Sequence, residues 1–354
     1  MIYPNRRRMY SLFCLATCWI IALVLALSGP SLEAQEPANG PGGDDGKEQG
    51  IRLVKGCRVV FATTKQGVKH LRGRDQFITA MSLFDRQSRV GKSEAVTEAD
   101  YLEFLSGHVL EWEPAERQQV ALAFANMAKK LAAYDLPLPA EIVMIKTSGG
   151  EEGNAAYCRT NAIVLPKKMV SWQGNKLERL LTHELFHVLS SHNPELRAKM
   201  YKIIGFSTVK PIGLPKSLAD RKITNPDAPQ LDSVIKLDTA DGPVMATPIL
   251  FAKWDYDDSR DDSFFAYLTF RLMAVQQREG IWVAVTDDGE PQLLDPKKTP
   301  SFTKQIGGNT GYIIHPDEIM ADNFVHLIHR TKELKTPGIV KQLSELLKSD
   351  RDQR

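Results

Sequence analysis

His183-Glu184-Leu185-Phe186-His187 places two imidazoles and a carboxylate within one short stretch, "LLTHELFHVL". On an α-helix, residues four apart lie one turn apart on one face, so His183 and His187 can reach a single ion. Zn²⁺ accepts imidazole nitrogen and tolerates a tetrahedral site with one open position. Glu184 follows His183 by about 100° around the helix. It therefore stands beside the ion, where it can take a proton from zinc-bound water. Leu177, Leu181, Leu185 and Val188 form an apolar stripe at helical spacing, with Glu184 inside it and the histidines along its flank. The bland alternative is chance. Against it stands the cost of an unpartnered carboxylate in an apolar helix face, which a metal site removes.

A catalytic zinc site wants three protein ligands. His192 lies near in sequence, but the metzincin pattern fails: Ser190 stands at its glycine position and Asn193 at its histidine position. Glu195 follows Pro194 too closely to fold back. "HPDEIMAD" (His315–Asp322) is the better candidate, because Glu318 and Asp322 are i and i+4 on a predicted helix and project together. One carboxylate can bind the metal while the other accepts the free N–H of a ligating histidine. The alternative is a plain helix start, with Pro316 in the first turn and Asp317 and Glu318 set against the helix dipole. Asp317 fits that role well. His315 is a competing ligand, an oxyanion donor or only a cap, and His326 and His329 read as ordinary helix residues.

"HELFH" followed by "EIMAD" resembles the gluzincin metallopeptidases, which pair HExxH with a downstream ExxxD or ExxAD. The resemblance covers two short motifs and implies one Zn²⁺ bound by His183, His187 and Glu318. It further implies Glu184 as the base and Asp322 as the residue orienting a histidine. The gap between motifs is longer than in the thermolysin type, so no subfamily is assigned. The resemblance also implies an edge strand before the active-site helix that pairs with extended substrate, a place taken by "NAAYCRTNAIVLP". Backbone pairing of that kind needs no particular side chains. Peptide hydrolysis needs an oxyanion donor as well. Tyr312 and His315, just before Glu318, are the first candidates, with Tyr157 and Tyr201 behind them.

The elements that must position these groups follow from pattern. "CRVVFATT" and "EIVMIKT" read as strands, and "AAYCRTNAIVLP" as one or two more. Thr97–Trp112 and Pro114–Tyr134 read as helices, the second with Pro114 in its first turn. The HELFH helix is predicted over about Asn175–Ser191, with Asn175 and Glu178 in a capping arrangement and Asn193-Pro194 ending it. Residues 207–310 carry frequent prolines and turns between alternating apolar stretches, and read as an antiparallel strand-rich insertion. Helices are predicted over Pro316–Arg330 and Ile339–Leu347. The expected fold is α+β: a zincin-like core over 51–354, a small mixed sheet packed on the active-site helix, with the insertion bulging out between that helix and the third-ligand helix.

Residues 1–34 read as a secretory signal: Arg6, Arg7 and Arg8, an apolar run from Met9 to Leu27, then Gly29-Pro30 and a cleavage residue at Ala34. If the run is not cleaved, residues 9–27 would tether the chain to a membrane. Residues 35–50 read as a flexible linker. Of 4 cysteines, Cys57 and Cys158 follow the signal. An even exported pair suggests a disulfide, and two buried thiols are the alternative. The 354 residues carry a formal net charge of +2, a balance that gives no electrostatic case for nucleic acid. The expected function is an exported, secreted or cell-envelope zinc-dependent peptidase acting on peptide or protein through zinc-bound water activated by Glu184. The alternatives are a non-catalytic zinc-stabilised binding or structural protein, and a zinc hydrolase for something other than peptides.

Overall fold

A mixed sheet carries the upstream half of the site. Its strands are β1 (Ile51–Val54), β2 (Cys57–Phe61), β3 (Val109–Leu110), β4 (Glu141–Thr147), β5 (Tyr157–Arg159) and β6 (Ala162–Pro166). Their order is β1-β2-β4-β6-β5, with β3 paired on β4. The central strands β2, β4 and β6 run parallel, and β1 and β5 close the two edges antiparallel. Every residue of β6 is buried, as expected for a strand covered on both faces. This is a computed structural model, and it describes residues 50–260 and 264–348. The signal and nearly all of the linker read from the sequence lie outside the described residues. No helix among the described residues is long and apolar enough to cross a membrane.

Edge strand β5 is pinned at its hairpin tip. Thr160 turns the chain at φ 55°, a left-handed conformation unfavourable to a β-branched residue. His70 Nε2 lies 3.1 Å from both Arg159 O and Thr160 Oγ1. The buried Arg159 guanidinium pairs with Asp75 and donates to Gly73 O at 3.0 Å.

Six helices matter for the site: α1 (Leu83–Val90), α2 (Pro114–Leu131), α3 (Asn175–His192), α4 (Pro194–Ile203), α5 (Pro316–Ile328) and α6 (Pro337–Leu347). Helix α3 packs against α2, α5 and strands β5 and β6. Leu177, Leu181, Leu185 and Val188 are buried along it, as the stripe requires. Its start differs from the sequence reading. Asn175 is the first helical residue rather than the cap; Gly174, at φ 55°, precedes it. Glu178 turns away from the helix end and binds Asn126 at 3.0 Å and Lys130 at 2.5 Å on α2. The helix predicted over Thr97–Trp112 is also shorter: Glu98–Ser106 is helical, capped by Thr97 and Asp100, and the chain then enters β3.

A second, antiparallel sheet follows, with strands β7 (Phe206–Thr208), β8 (Ser233–Thr239), β9 (Gly242–Ala252), β10 (Leu268–Arg278) and β11 (Ile281–Ala284) in the order β11-β10-β9-β8-β7. Glu279 and Gly280, both at positive φ, make the two-residue turn that matches strand twist between β10 and β11. This segment does not bulge away from the rest. Ile235, Leu237, Ala246, Leu272, Phe302 and Ile306 join the same apolar cluster as Leu181, Leu185 and Phe324. The sheet's other face has its own cluster around Ile249 and Met273.

The expected disulfide is not made; Cys57 and Cys158 are both buried free thiols. Cys57 lies on β2 and Cys158 on β5, with β4 and β6 between them. Three strand spacings amount to about 14 Å, roughly twice the Cα separation a disulfide spans.

Candidate metal centre

His183 and His187 project from the middle of α3 toward the first two turns of α5. There the two segments far apart in sequence meet. His183 Nε2 lies 3.0 Å from Glu318 Oε2, and His187 Nε2 lies 3.5 Å from the same oxygen. One ligand atom from each of His183, His187 and Glu318 falls within 4.8 Å of the others.

Each histidine has its own carboxylate behind it. His183 Nδ1 is 3.1 Å from Asp322 Oδ1, and His187 Nδ1 is 2.6 Å from Asp317 Oδ2. With Nδ1–H donating to a carboxylate, Nε2 of a neutral imidazole presents a lone pair. Two such lone pairs then face a carboxylate oxygen, an arrangement satisfied by a positive charge between the acceptors, either protons on Nε2 or a metal ion that displaces them. Nε2 of the buried His187 has no hydrogen-bond partner. Two imidazoles and a carboxylate are a donor set that suits Zn²⁺, so the residues present fit the ion that the sequence implied.

Asp317 was read as a first-turn acid, and it does more. It is buried and, besides His187, accepts from Ser190 Oγ at 2.6 Å and Tyr201 OH at 2.7 Å. Asp322 also accepts from Thr310 Oγ1. Glu318 Oε1 accepts from Asn225 Nδ2 at 2.5 Å, which leaves Oε2 turned toward the histidines. Asn225, Ser190 and the orienting role of Asp317 were missed from sequence. The signal that could have found Asp317 is simple: two ligating histidines need two acceptors, and only Asp322 had been named.

Burial works against every charge in the cluster, and pairing outweighs it at the histidines. His183 is pushed up to about 10 by Asp322 and Glu318 against burial and His187. His187 is raised well above its ordinary range by Asp227, Glu318 and Asp317. Glu318 is held well below the ordinary carboxylate range by both histidines despite burial. Glu184 behaves differently. Burial raises it, over the opposing pull of His183 and His187.

Glu184 is 3% exposed and stands between the histidines and edge strand β5. Cys158 Sγ donates to Glu184 O at 3.1 Å and approaches Oε2 at 3.5 Å. Cys158, Glu184 and Asp227 form a second close group. Asp227 was not singled out from sequence. Its Oδ1 accepts the Cys158 backbone N–H at 2.6 Å, so the outward N–H of the edge strand, expected to pair with substrate, already has a partner.

Among the oxyanion candidates, Tyr157 OH approaches Glu151 at 3.5 Å and Tyr201 OH donates to Asp317. Tyr312 stacks on His183, ring centroids 6.3 Å apart. Burial first, then Glu318, Asp227 and Glu184, raise its phenol well above the ordinary range, which keeps it a neutral donor. His315 caps α5, its Nδ1 accepting the Asp317 N–H at 3.1 Å, and its ring lies edge-on to Tyr201. The structure does not bring His192 to the cluster; its Nδ1 lies 3.1 Å from Val188 O of its own helix. His329 binds Thr182 and His326 binds Asn309.

No family model, curated protein or solved structure matches the chain.

Proposed function

We propose that this chain is an exported zinc-dependent peptidase with a zincin-like core, in which His183, His187 and Glu318 hold one Zn²⁺. The convergence of His183 Nε2, His187 Nε2 and Glu318 Oε2 on one point, with Glu184 beside it, carries this reading. The ion, when bound, supplies Lewis-acid polarisation and a water of lowered pKa. Asp322 and Asp317 keep the Nδ1 protons, so both Nε2 atoms stay available as ligands. Glu184 takes a proton at its carboxylate and returns it to the leaving nitrogen; burial raises its pKa above the ordinary carboxylate value, the direction that suits an acid–base group. The Tyr312 phenol donates a hydrogen bond to the developing oxyanion.

Metal analysis of purified wild-type protein and Glu184→Gln, with a peptide-pool assay on both, tests the reading. The expected result is about one zinc per chain in each, with hydrolysis in the wild type only. Wild-type protein that stays metal-free after zinc is added overturns it. Zinc bound without cleavage of any peptide would favour a non-catalytic binding protein, and cleavage of a non-peptide ester or amide alone would favour the other hydrolase class.

A further inference from the structure

Residues 222–230, "KITNPDAPQ", run from a buried clamp to the metal-binding cluster. The stem is fixed at the start of α1. Asp85 accepts from the Thr224 N–H at 3.0 Å and from its hydroxyl at 2.6 Å. Ser82 Oγ donates to Lys222 O at 2.6 Å, and Arg89 Nη2 donates to Thr224 O at 3.0 Å. Arg89 itself is held by Asp85 at 2.7 Å and Glu152 at 2.6 Å, all three side chains buried. The stem also bonds to β9, Ile223 N–H to Leu250 O at 2.8 Å.

Beyond Thr224 the manner of attachment changes. Pro226 and Pro229 have no N–H to give. Among the described residues, no backbone hydrogen bond joins residues 225–230 to another segment. The tip reaches the site through two side chains, Asn225 to Glu318 and Asp227 to the Cys158 N–H. Lys222 Nζ reaches Pro229 O at 3.4 Å from the stem. The Asp227 N–H donates to Asn225 Oδ1 at 3.0 Å, a local turn that sets the direction of the carboxylate.

Strand register gives this contact its meaning. Cys158 is the middle residue of β5, opposite Ile163 of β6. Its N–H faces Asp227 and so points away from β6; in an antiparallel pair the N–H groups on either side point back toward the sheet. Cys158 therefore offers the outward amide of this short edge, the donor to which the carbonyl of an extended peptide would bind.

We propose that residues 226–229 form an autoinhibitory strap, in which Asp227 Oδ1 occupies the edge-strand amide in place of a substrate carbonyl, and that this tip lifts while Asn225 stays on Glu318, to admit an extended peptide. The proposal rests on the peptidase reading of the same site. The tip can leave without disturbing the stem, because the Asp85, Ser82 and Arg89 contacts all lie at or before Thr224.

The test compares Asp227→Ala with Asp227→Asn, which keeps an acceptor oxygen for the Cys158 amide. Both are made in the zinc-loaded protein, with and without Glu184→Gln. Binding is read by anisotropy with a fluorescein-labelled random decapeptide pool on the Glu184→Gln background, so the readout does not depend on turnover. Asp227→Ala should tighten binding about tenfold, one hydrogen bond of competition removed, and Asp227→Asn, which keeps the acceptor, should stay near wild type. Hydrogen exchange at the Tyr157–Arg159 segment should quicken in Asp227→Ala alone. Unchanged or weaker peptide binding in Asp227→Ala overturns the strap and makes Asp227 a fixed wall or a substrate contact. If Asp227→Ala does not fold, a protease site placed between Ala228 and Pro229 and cut after folding must give the same gain, and no gain overturns the proposal. Tighter binding with no hydrolysis by any variant would leave the strap standing and the peptidase reading failed.

Discussion

His187 Nδ1 lies 2.6 Å from Asp317 Oδ2, with both side chains buried. Asp317 also accepts hydrogen bonds from the Ser190 and Tyr201 hydroxyls, so one carboxylate orients His187, a proposed zinc ligand, and ties α3, α4 and α5 together. Asp317→Ala should lower zinc affinity by about 10- to 100-fold. It should also destabilise the metal-free protein by about 1–3 kcal/mol for each buried donor left unpaired. Chelator competition and denaturant unfolding check the two effects separately. Intact affinity would mean that His187 is held by packing alone.

Tyr312 stacks on His183 without being a ligand. Tyr312→Phe keeps the ring and loses the hydroxyl. If the phenol meets the developing oxyanion, kcat falls by about 10²- to 10³-fold while zinc content and KM hold. Unchanged kcat in a steady-state assay removes Tyr312 from the chemistry.

The HELFH helix was legible because its evidence is local: a four-residue spacing, an apolar stripe and a proline that ends it. Glu318 and Asp322 were legible because they too share a helix face, although nothing local fixed their meeting with α3. The work of Asp317 was hidden by its position. A first-turn acid next to Pro316 satisfies the helix dipole equally well, and helical pattern alone does not separate that from a histidine partner; only the count of acceptors for two histidines does. Asn225 and Asp227 had no signal at all. "TNPDAPQ" has the composition of a turn, and its place over the site comes from Asp85, 139 residues earlier. The disulfide expectation failed for a related reason. Cysteine count says nothing of strand order, and strand order separates β2 from β5.

Zinc affinity should climb steeply with pH. Without metal, Asp322 and Glu318 push His183 up to about 10 against burial, and Asp227, Glu318 and Asp317 raise His187 well above its ordinary value against burial. Zinc must displace those protons, so affinity should rise by about tenfold per pH unit for each proton released between pH 6 and 8. Calorimetry in buffers of different ionisation enthalpy counts the protons, and none released would contradict the assignment. Metal-free stability carries the opposite sign. The pairing of a raised histidine is worth most below its unfolded value of about 6.5 and is lost as pH rises through about 10. Glu318, depressed by the same contacts, contributes above its ordinary carboxylate range and loses its contribution as pH falls.

Both thiols should remain reduced. Cys57 is pushed up to about 11 by burial, and Cys158 is raised well above its ordinary value by burial and then by Glu184 and Asp227. The thiolate is the reactive form, so neither should react with an aromatic disulfide reagent in the native state. Unfolding the protein without reductant should release both thiols. Release of none would mean that the cysteines pair after all.

Arg159 gives the sharpest separation of scaffold from site. Its guanidinium is buried, paired with Asp75 and bound to Gly73 O, and it belongs to the strand that carries Cys158. Arg159→Leu leaves the half-buried Asp75 carboxylate without its cation and should cost about 1.5–3 kcal/mol of stability, the range for a hydrogen bond to a charged group. The proposed metal ligands sit on α3 and α5, to which Arg159 makes none of its ion-pair or hydrogen-bond contacts, so zinc content should stay near that of the wild type in the folded fraction. Substrate affinity should drop instead, because β5 loses the anchor of its strained turn at Thr160. Unfolding curves, metal analysis and KM on one preparation distinguish these effects. Loss of zinc in parallel with stability would show that the edge strand, and not the α3–α5 contact alone, holds the metal centre in shape.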